Sequence, residues 1–314
     1  LSPRVPGSPI LQVHYDFAAA GQKIFEDRLF AMIDYWVGRT GLRNLAASGG
    51  CLMNSLAAGR VLERTGVQRL FVPYASADNG TAVGAALKVW GEKGNTARPA
   101  GRSAPSPYLG PTYSEQEVEA VLAKSKISAR RLSDPAGTAA ELLAAGKLLG
   151  WFQGAMEFGE RALGNRSILA DPRKAEMKDI VNAAVKYREA FRPFAPSVVE
   201  ERAREFFALP ADVDSVPYME RVFPVRPDAA SLIPAVVHAD GTCRLQTVSK
   251  ESNPLFHELI TKFASLTGVP VVLNTSFNVR GEPIVCSPED ALRTFYTCGL
   301  DALILGCNLI LKNG

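Results

Sequence analysis

Hydrophobic positions between residues 16 and 38 recur at mixed spacings of three and four, which predicts an amphipathic helix. Asp16 stands before the first of these positions and is the predicted N-cap. Apolar runs and helical patterns then alternate, with strands predicted at 42–47 and 69–73 and helices at 53–64 and 81–90. This alternation is typical of crossovers on a largely parallel sheet, but the segment is too short to close such a sheet alone.

A second series of helical and strand patterns begins after residue 108. Ser114 and Glu117 form a capping box, which marks the start of a helix. Asp134 and Asp171, each followed by proline, open two further helices, the second predicted to run to about residue 185. The other predicted elements are strands at 148–152, 269–273, 302–305 and 309–311 and helices at 254–267 and from Ser287 onward. The predicted fold class is therefore α/β.

The segment 91–107 separates these two series. It contains three glycines and three prolines with almost no apolar side chain, which predicts a surface linker. We therefore predict one domain at 1–90 and another at 108–314, in line with roughly 150 residues per domain. Because the first residue is Leu1 and the first unit is short, we expect the chain to be a fragment.

Composition and charge narrow the class of protein. Lysine and arginine total 35 against 32 acidic residues, a formal charge of +3, which argues against a nucleic-acid coat or a polybasic membrane binder. No apolar run reaches about 18 residues, so no membrane-spanning helix is expected. The five cysteines form no CxxC pair, and we expect a reducing, cytoplasmic setting.

Two turns of the first unit are candidate binding elements. Gly49 and Gly50 lie between a predicted strand and helix, where backbone N–H groups can approach a phosphate, and Asn54 follows them. The alternative is an ordinary turn that needs glycine for its backbone angles. Asp78 follows the next strand and suits a metal ion, or else it caps the following helix.

Basic residues concentrate in one region of the second unit. A glycine-punctuated loop after a strand carries Arg161, Arg166 and Arg173 with Asn165 and Ser167. Lys186, Arg188 and Arg192 follow shortly after, interleaved with apolar residues. This pattern indicates cleft-lining arginines that bind phosphate or carboxylate. A structural network of ion pairs with Glu157, Glu160 and Glu189 is the alternative interpretation.

Short polar side chains converge at the end of a late strand. They are Asn274, Thr275, Ser276 and Asn278, and Arg280 follows them. Such donors suit a phosphoryl or carbonyl oxygen, although a polar turn held by its own hydrogen bonds would have the same composition. The three histidines show no metal-ligand spacing, so no complete metal site is predicted from the chain.

Four long motifs occur together in this chain: GAMEFGERALGNRSILADPR, KYREAFRPFAPSVV, HADGTCRLQTV and VPVVLNTSFNVRGEPIVCSPEDALRTF. With NLAASGGCLMNSLAAGRV and PYASADNGTAVGAAL, they resemble the O-carbamoyltransferases, the group of nodulation protein U and the antibiotic carbamoyltransferases. The resemblance covers about 14–314. It implies the C-terminal part of an actin/Hsp70-like (ASKHA) ATPase-type domain followed by a YrdC-like α/β domain.

The same resemblance implies a function. The second domain would use carbamoyl phosphate and ATP, with Mg²⁺, to form carbamoyl-adenylate. The first domain, with iron or another divalent metal, would transfer the carbamoyl group to a hydroxyl of a small-molecule or sugar acceptor. We expect neither a membrane nor a nucleic acid as partner, and a homodimer is left open. The alternatives are a threonylcarbamoyl-AMP/tRNA-modification relative and a non-catalytic nucleotide-binding module.

The resemblance also assigns roles to residues. The residues implied to act on the phosphates and the carbamoyl group are Arg161, Arg166, Lys186, Arg188, Arg192, Ser276 and Asn278. Those implied to bind cofactors are Gly49, Gly50, Asn54, Asn165, Ser167, Thr275 and Arg280, with Asp78 as the metal ligand.

The chain departs from the family's pattern at three points. Glu160 replaces a usual proline, and Ser48 replaces a usual glycine. The family's histidine metal ligands lie upstream of anything present in this sequence.

Overall fold

The first unit is a small helix–strand assembly. The computed structural model describes residues 3–5, 7–94, 105–189 and 191–312. The elements of the first unit are α1 Gln12–Thr40, β1 Asn44–Ala46, α2 Ser55–Arg64, β2 Arg69–Phe71 and α3 Gly80–Glu92. β1 and β2 pair in parallel, as the alternating pattern predicted.

The long helix α1 packs on α2 through one apolar stripe. Leu29, Phe30 and Ile33 of α1 meet Ala57 and Val61 of α2 in a small buried cluster. The spacing of three and four residues correctly predicted a helix and its Leu29 and Ile33 contacts, but Phe17, Ile24 and Trp36 of the same pattern are exposed.

The predicted N-cap of α1 is wrong. The helix starts at Gln12, so Asp16 lies inside its second turn and accepts a hydrogen bond from Gln12 Nε2 at 2.8 Å. The main-chain N–H of Leu11 donates to the ring of His14, which satisfies the helix start without Asp16. This capping by a histidine ring has no familiar sequence signature.

The second unit is built on one large mixed sheet. Its strands are β3 Arg130–Arg131, β4 Leu149–Phe152, β5 Arg166–Ala170, β6 Ala195–Val199, β7 Val222–Pro224, β8 Thr242–Arg244, β9 Gln246–Val248, β10 Val271–Ser276, β11 Ala302–Leu305 and β12 Asn308–Leu311. Eight of them form a sheet in the order β3-β12-β11-β4-β5-β10-β6-β9, while β7 and β8 form a separate hairpin-like pair. Within the large sheet, β4–β11 and β6–β9 are parallel and the other pairs are antiparallel.

Helices cover both faces of this sheet. They are α4 Glu115–Lys124, α5 Pro135–Ala144, α6 Met177–Val181, α7 Ala203–Phe206, α8 Pro227–Ala230, α9 Pro254–Thr267 and α10 Pro288–Thr297. α5 and α9 bury Ala139, Phe256 and Phe263 against one face, and α4 and α10 bury Leu122 and Phe295 against the other. The α/β prediction is confirmed, with a mixed sheet as its core.

Several predicted boundaries move. The helix predicted from Asp171 starts at Met177, because the Asp171 carboxylate binds the main-chain N–H and guanidinium of Arg173 in a turn. The helix then loosens into a turn of π-helix, Asn182–Lys186. The strand predicted at 269–273 runs to Ser276.

The linker predicted at 91–107 lies mostly outside the residues that the structure describes. Residues 95–104 of the predicted linker lie outside them, so the linker and the domain bounds stay predictions. Among the described helices, none combines the length and the apolar composition needed to cross a membrane.

Candidate functional site

The loop between β4 and β5 is held in shape by a buried carboxylate. Glu157 accepts hydrogen bonds from the main-chain N–H groups of Leu163, Asn165 and Arg166, the shortest at 2.6 Å. Burial raises the pKa of Glu157, and these donors offset part of that effect. Gly164 adopts φ +108 in this loop, and a Cβ there would lie 2.2 Å from the Phe256 ring. The loop is therefore a rigid frame from which individual arginines project.

Arg166 points into this frame rather than into a cavity. Its guanidinium donates to the carbonyl oxygens of Gln153, Gly154, Asn165 and Pro111 and lies 3.5 Å from the centre of the Phe152 ring. Burial lowers its pKa to about 10. Both terminal nitrogens of Arg166 are thus bound to carbonyl oxygens, while its Nε is buried without a partner among the described residues, and this geometry is mainly that of a structural residue.

Asn165 and Ser167 have similar surroundings. Asn165 donates to the carbonyl oxygen of Ala155 and accepts from Asn253, and the Ser167 hydroxyl accepts from the main-chain N–H of Gly164. These contacts fix the loop, and neither residue lines the cavity described next.

Four other arginines line a cavity of about 250 Å³ at the end of β10. Its charged lining consists of Arg161, Arg188, Arg192, Arg244 and Glu160, and its polar lining of Asn274, Thr275 and Ser276. The cavity therefore brings together the arginine loop, the segment after α6 and the strand end that the sequence singled out. Four guanidinium groups face one carboxylate, so the cavity has a strong excess of positive charge.

Three of these arginines are partly buried without a carboxylate in salt-bridge contact among the described residues. Burial lowers the pKa of Arg161 and of Arg188, and it lowers the pKa of Arg244 to about 9. The neighbouring charges of Arg161 and Arg188 contribute to this fall in the pKa of Arg244, and its Nε has no hydrogen-bond partner among the described residues. Arg192 is more exposed and pairs with Glu189 at 3.3 Å. Like charges held together in this way are stabilised when an anion lies between them.

Arg244 is the residue that the sequence reasoning missed. It lies at the end of β8, within the quoted motif HADGTCRLQTV but far along the chain from the other arginines. Its spacing along the chain does not connect it with Arg161 or Arg188, so the sequence held no signal for it, and only the packing of β8 places it in the cavity.

Lys186 organises the neighbouring part of the site. Its ammonium donates to the carbonyl oxygens of Ser276 and Asn278 and to the Asn278 Oδ1 at 2.6, 3.0 and 2.7 Å. Burial and the nearby charge of Arg188 lower its pKa to about 7. Lys186 thus fixes the loop after β10 by hydrogen bonds to oxygen atoms of Ser276 and Asn278.

A second, shallower cavity of about 220 Å³ adjoins the first. The two share Arg188, Arg192 and Ser276, and the second adds Lys186, Asn278 and Arg280. Arg280 also donates to the carbonyl oxygen of Tyr187 at 3.2 Å. Two adjoining basic lobes can accommodate more than one phosphate group.

The turns of the first unit lie next to the arginine loop. The Glu160 carboxylate accepts from the main-chain N–H of Ala77 at 3.3 Å, and Arg161 donates to the carbonyl oxygen of Met53 at 3.5 Å. Gly159, at φ +140, lies so close to the Tyr74 carbonyl that a Cβ would be 2.4 Å from it. The cavity therefore opens beside the interface of the two units.

The first-unit residues that the sequence singled out are distributed along these turns. Gly49 has φ +108 and donates its N–H to the Ser76 carbonyl, and Gly50 begins a single turn of 3₁₀-helix. Asn54 caps α2 by accepting from the Ala57 N–H at 3.1 Å and pairs with Gln22. The turn conformation accounts for all three residues without a ligand.

The described residues do not form a metal site. Asp78 is exposed, and no group of three or more His, Cys, Asp or Glu side chains gathers there or elsewhere in the described ranges. The described residues therefore do not fit the resident metal that the family resemblance implies.

Comparison with known proteins identifies the family. The chain matches the family models "Carbamoyltransferase N-terminus" over residues 3–87 and "Carbamoyltransferase C-terminus" over residues 140–312. It is 46% identical to nodulation protein NolNO of Sinorhizobium fredii, over 98% of this chain and 46% of that protein. It is 44% identical to nodulation protein NolO of Bradyrhizobium diazoefficiens, over 98% of this chain and 57% of that protein.

The curated relatives are longer than this chain, and the solved structures are only distantly similar to it. The chain spans about half the length of these curated relatives. Among solved structures, full-length HypF in its phosphate- and nucleotide-bound form is similar at a TM-score of 0.39 and 13% identity, over 57% of this chain and 25% of that one. The YrdC-like and ASKHA assignments therefore stay predictions. The resemblance read from the sequence motifs is confirmed, and the chain belongs to the carbamoyltransferase family.

Proposed function

We propose that this chain carries the activating part of an O-carbamoyltransferase, which converts carbamoyl phosphate and ATP into carbamoyl-adenylate. The observation that carries the proposal is the cavity in which Arg161, Arg188 and Arg244 are partly buried with too few carboxylates to balance them. A site of this kind is stabilised by an anion, and both proposed substrates are phosphate anions. Family membership supplies the carbamoyl group as the unit transferred.

The proposed reaction has three steps: hydrolysis of carbamoyl phosphate, adenylate formation and carbamoyl transfer. Water converts carbamoyl phosphate into carbamate and phosphate, and a carbamate oxygen then attacks the α-phosphorus of ATP. Carbamoyl-adenylate forms and pyrophosphate leaves. Transfer to an acceptor hydroxyl would release AMP and a proton. The cations of the cavity stabilise the negative charge that develops on the transferring and leaving phosphoryl oxygens.

The two lobes suggest a division of binding. The first lobe, with Arg161, Arg188 and Arg244, would hold the phosphate of carbamoyl phosphate, and the second, with Arg192 and Arg280, would hold the ATP phosphates with their Mg²⁺. Lys186 would act indirectly, because its hydrogen bonds position Ser276 and Asn278 at the boundary of the lobes. Holding both reactants in fixed orientation supplies much of the rate enhancement in such a step.

The adenylate would leave toward the first unit. The arginine loop contacts the turns around Met53, Tyr74 and Ala77, so the short path from the cavity runs to that unit. A short enclosed path would protect a hydrolysis-prone intermediate from water. The acceptor would be a hydroxyl of a small molecule or sugar.

Pyrophosphate–ATP exchange tests the activation step. Labelled pyrophosphate should enter ATP only when carbamoyl phosphate is present, and Arg188→Met should reduce the rate by about 100-fold or more. Arg130→Met is the matched control, because Arg130 is an exposed residue of β3 outside the cavity. Absence of exchange in the folded wild-type chain, or an equal rate in Arg188→Met, would contradict the proposal.

A further inference from the structure

The arginine-lined cavity contains one buried acceptor that is left without a partner. Asn274, in β10, lines the cavity and is 1% exposed, and its Oδ1 has no hydrogen-bond partner among the described residues. Leaving a buried carbonyl-type oxygen unpaired is unfavourable, because no hydrogen bond compensates for its removal from water. Unpaired groups of this kind are uncommon in folded proteins and call for an explanation.

The orientation of the Asn274 amide is fixed by its neighbours. Its Nδ2 donates to the Ala162 carbonyl at 3.3 Å, to Ser197 Oγ at 3.0 Å and to Gln246 Oε1 at 3.0 Å. Gln246 is fixed in turn, because its Nε2 donates to the carbonyl oxygen of Leu163 at 2.9 Å.

Main-chain carbonyls only accept, so both amides must present nitrogen to them. A flipped Asn274 would place its oxygen against the oxygens of Ala162 and Gln246. The network therefore holds Oδ1 as the unpaired atom, and no rotation of the amide removes it.

The chemistry of the lining defines a complementary ligand. The arginines offer donors to an anion, whereas Asn274 Oδ1 needs an N–H donor. A carbamoyl phosphate molecule has both features, a phosphate at one end and an amide NH₂ at the other. An acyl phosphate with a methyl group in place of NH₂ would leave Oδ1 unpaired.

We propose that Asn274 is a specificity-determining residue, whose Oδ1 accepts a hydrogen bond from the carbamoyl NH₂ while the arginines bind the phosphate. This inference rests on the proposed function of the cavity. Glu160 is a second acceptor in the lining, but it already accepts from the Ala77 N–H and its negative charge repels the phosphate end. Asn274 gives the selectivity without that repulsion.

Two stable phosphonates test the inference directly. Phosphonoacetamide and acetonylphosphonate differ only in carrying NH₂ or CH₃ beside the carbonyl, and both keep the phosphonate. In calorimetric titrations of the 314-residue chain, the amide should bind about 10–100-fold more tightly than the ketone, the affinity equivalent of one stranded buried acceptor. A ratio near one in the wild-type chain would overturn the inference without any variant.

Variants then assign the selectivity to one residue. Asn274→Leu should bring the ratio to within about 3-fold while binding of inorganic phosphate persists, because the arginines remain. Asn308→Leu is the matched control, since Asn308 is equally an asparagine in a strand and buried, but lies outside the cavity lining. Glu160→Gln should keep the full ratio of the two phosphonate affinities. Loss of that ratio in Glu160→Gln would show that Glu160, and not Asn274, selects the amide.

The outcomes separate the two proposals. If the wild-type chain binds neither phosphonate nor inorganic phosphate, the cavity is not an anion site and both proposals fail. If it binds both phosphonates equally, and binding weakens in Arg244→Met, the anion site stands and only the role of Asn274 is refuted.

Discussion

Replacing Arg244 with Met is expected to stabilise the anion-free chain and to remove its stabilisation by phosphate. Arg244 is partly buried beside Arg161 and Arg188, its Nε has no partner among the residues that the structure describes, and its pKa is lowered to about 9. Met keeps much of the side-chain volume and removes the charge. The structure thus predicts opposite effects on stability and on ligand binding from a single substitution.

The magnitude follows from the cost of burying the charge. One pKa unit corresponds to about 1.4 kcal/mol, so the fall of the Arg244 pKa from the ordinary arginine value to about 9 sets an upper limit of roughly 4–5 kcal/mol. Water within the polar cavity and side-chain relaxation reduce this cost. We expect Arg244→Met to raise the free energy of unfolding by about 1–3 kcal/mol without phosphate, as for other replaced buried charges.

Phosphate should narrow this difference in stability by about 1.2–1.4 kcal/mol. At a concentration ten times its dissociation constant, a ligand that binds only the folded state stabilises it by about 1.4 kcal/mol. Losing charged hydrogen bonds worth about 2–3 kcal/mol would weaken binding to Arg244→Met by roughly 30–150-fold. The same phosphate concentration would then add only about 0.04–0.17 kcal/mol to the variant.

Urea unfolding at increasing phosphate, with constant ionic strength set by chloride, measures both effects. Arg130→Met controls for the loss of one positive charge at an exposed position. A lower stability of Arg244→Met than of wild type in the absence of phosphate would contradict the expected cost of burying this charge. Equal stabilisation of both proteins by phosphate would contradict a role of Arg244 in binding the anion.

Three further predictions use stability measurements. Because the pKa of Lys186 is lowered to about 7, the unfolded chain binds more protons than the folded chain between pH 7 and about 10. The free energy of unfolding should therefore rise with pH in this range, by up to about 1.4 kcal/mol per pH unit. An equal rise with pH in a Lys186→Met variant would contradict this prediction. Gly164→Ala should lower the free energy of unfolding by more than about 3 kcal/mol in thermal or urea unfolding, because its Cβ would meet the Phe256 ring at 2.2 Å. The control Gly146→Ala, at φ +80 with no atom within 4 Å of the added Cβ, should cost only about 1–2 kcal/mol. Equal losses in the two variants would show that backbone strain alone matters. Asn54→Ala should cost about 1 kcal/mol through loss of the α2 cap, and a cost near zero would show that the cap is replaced by water.

The arginine loop shows how far sequence reasoning reaches at this site. The glycine-punctuated run of arginines predicted a cleft, and Arg161 does line one. Arg166, five positions later, instead donates to four carbonyl oxygens of the surrounding frame. The residue types are the same in both places, so their order along the chain could not separate a ligand-facing guanidinium from a structural one.

The boundaries of the elements show the same limit. The β-branched run beginning at Val269 correctly predicted a strand, but the strand continues through Asn274, Thr275 and Ser276. These polar side chains read as a strand end because strand interiors are usually apolar on at least one face. They stay in the sheet because β5 pairs with all three, and β6 also pairs with Asn274.

The sequence alone determined the family, the α/β class and the region in which the basic residues concentrate, because these depend on residue types, local periodicity and long contiguous motifs. Only the tertiary structure decided which cations share a cavity. Arg244 joins Arg161 and Arg188 because β8 packs against β6, and Asn274 keeps an oxygen without a partner among the described residues through contacts with Ala162 and Gln246. Such contacts join residues far apart along the chain, so no local pattern records them.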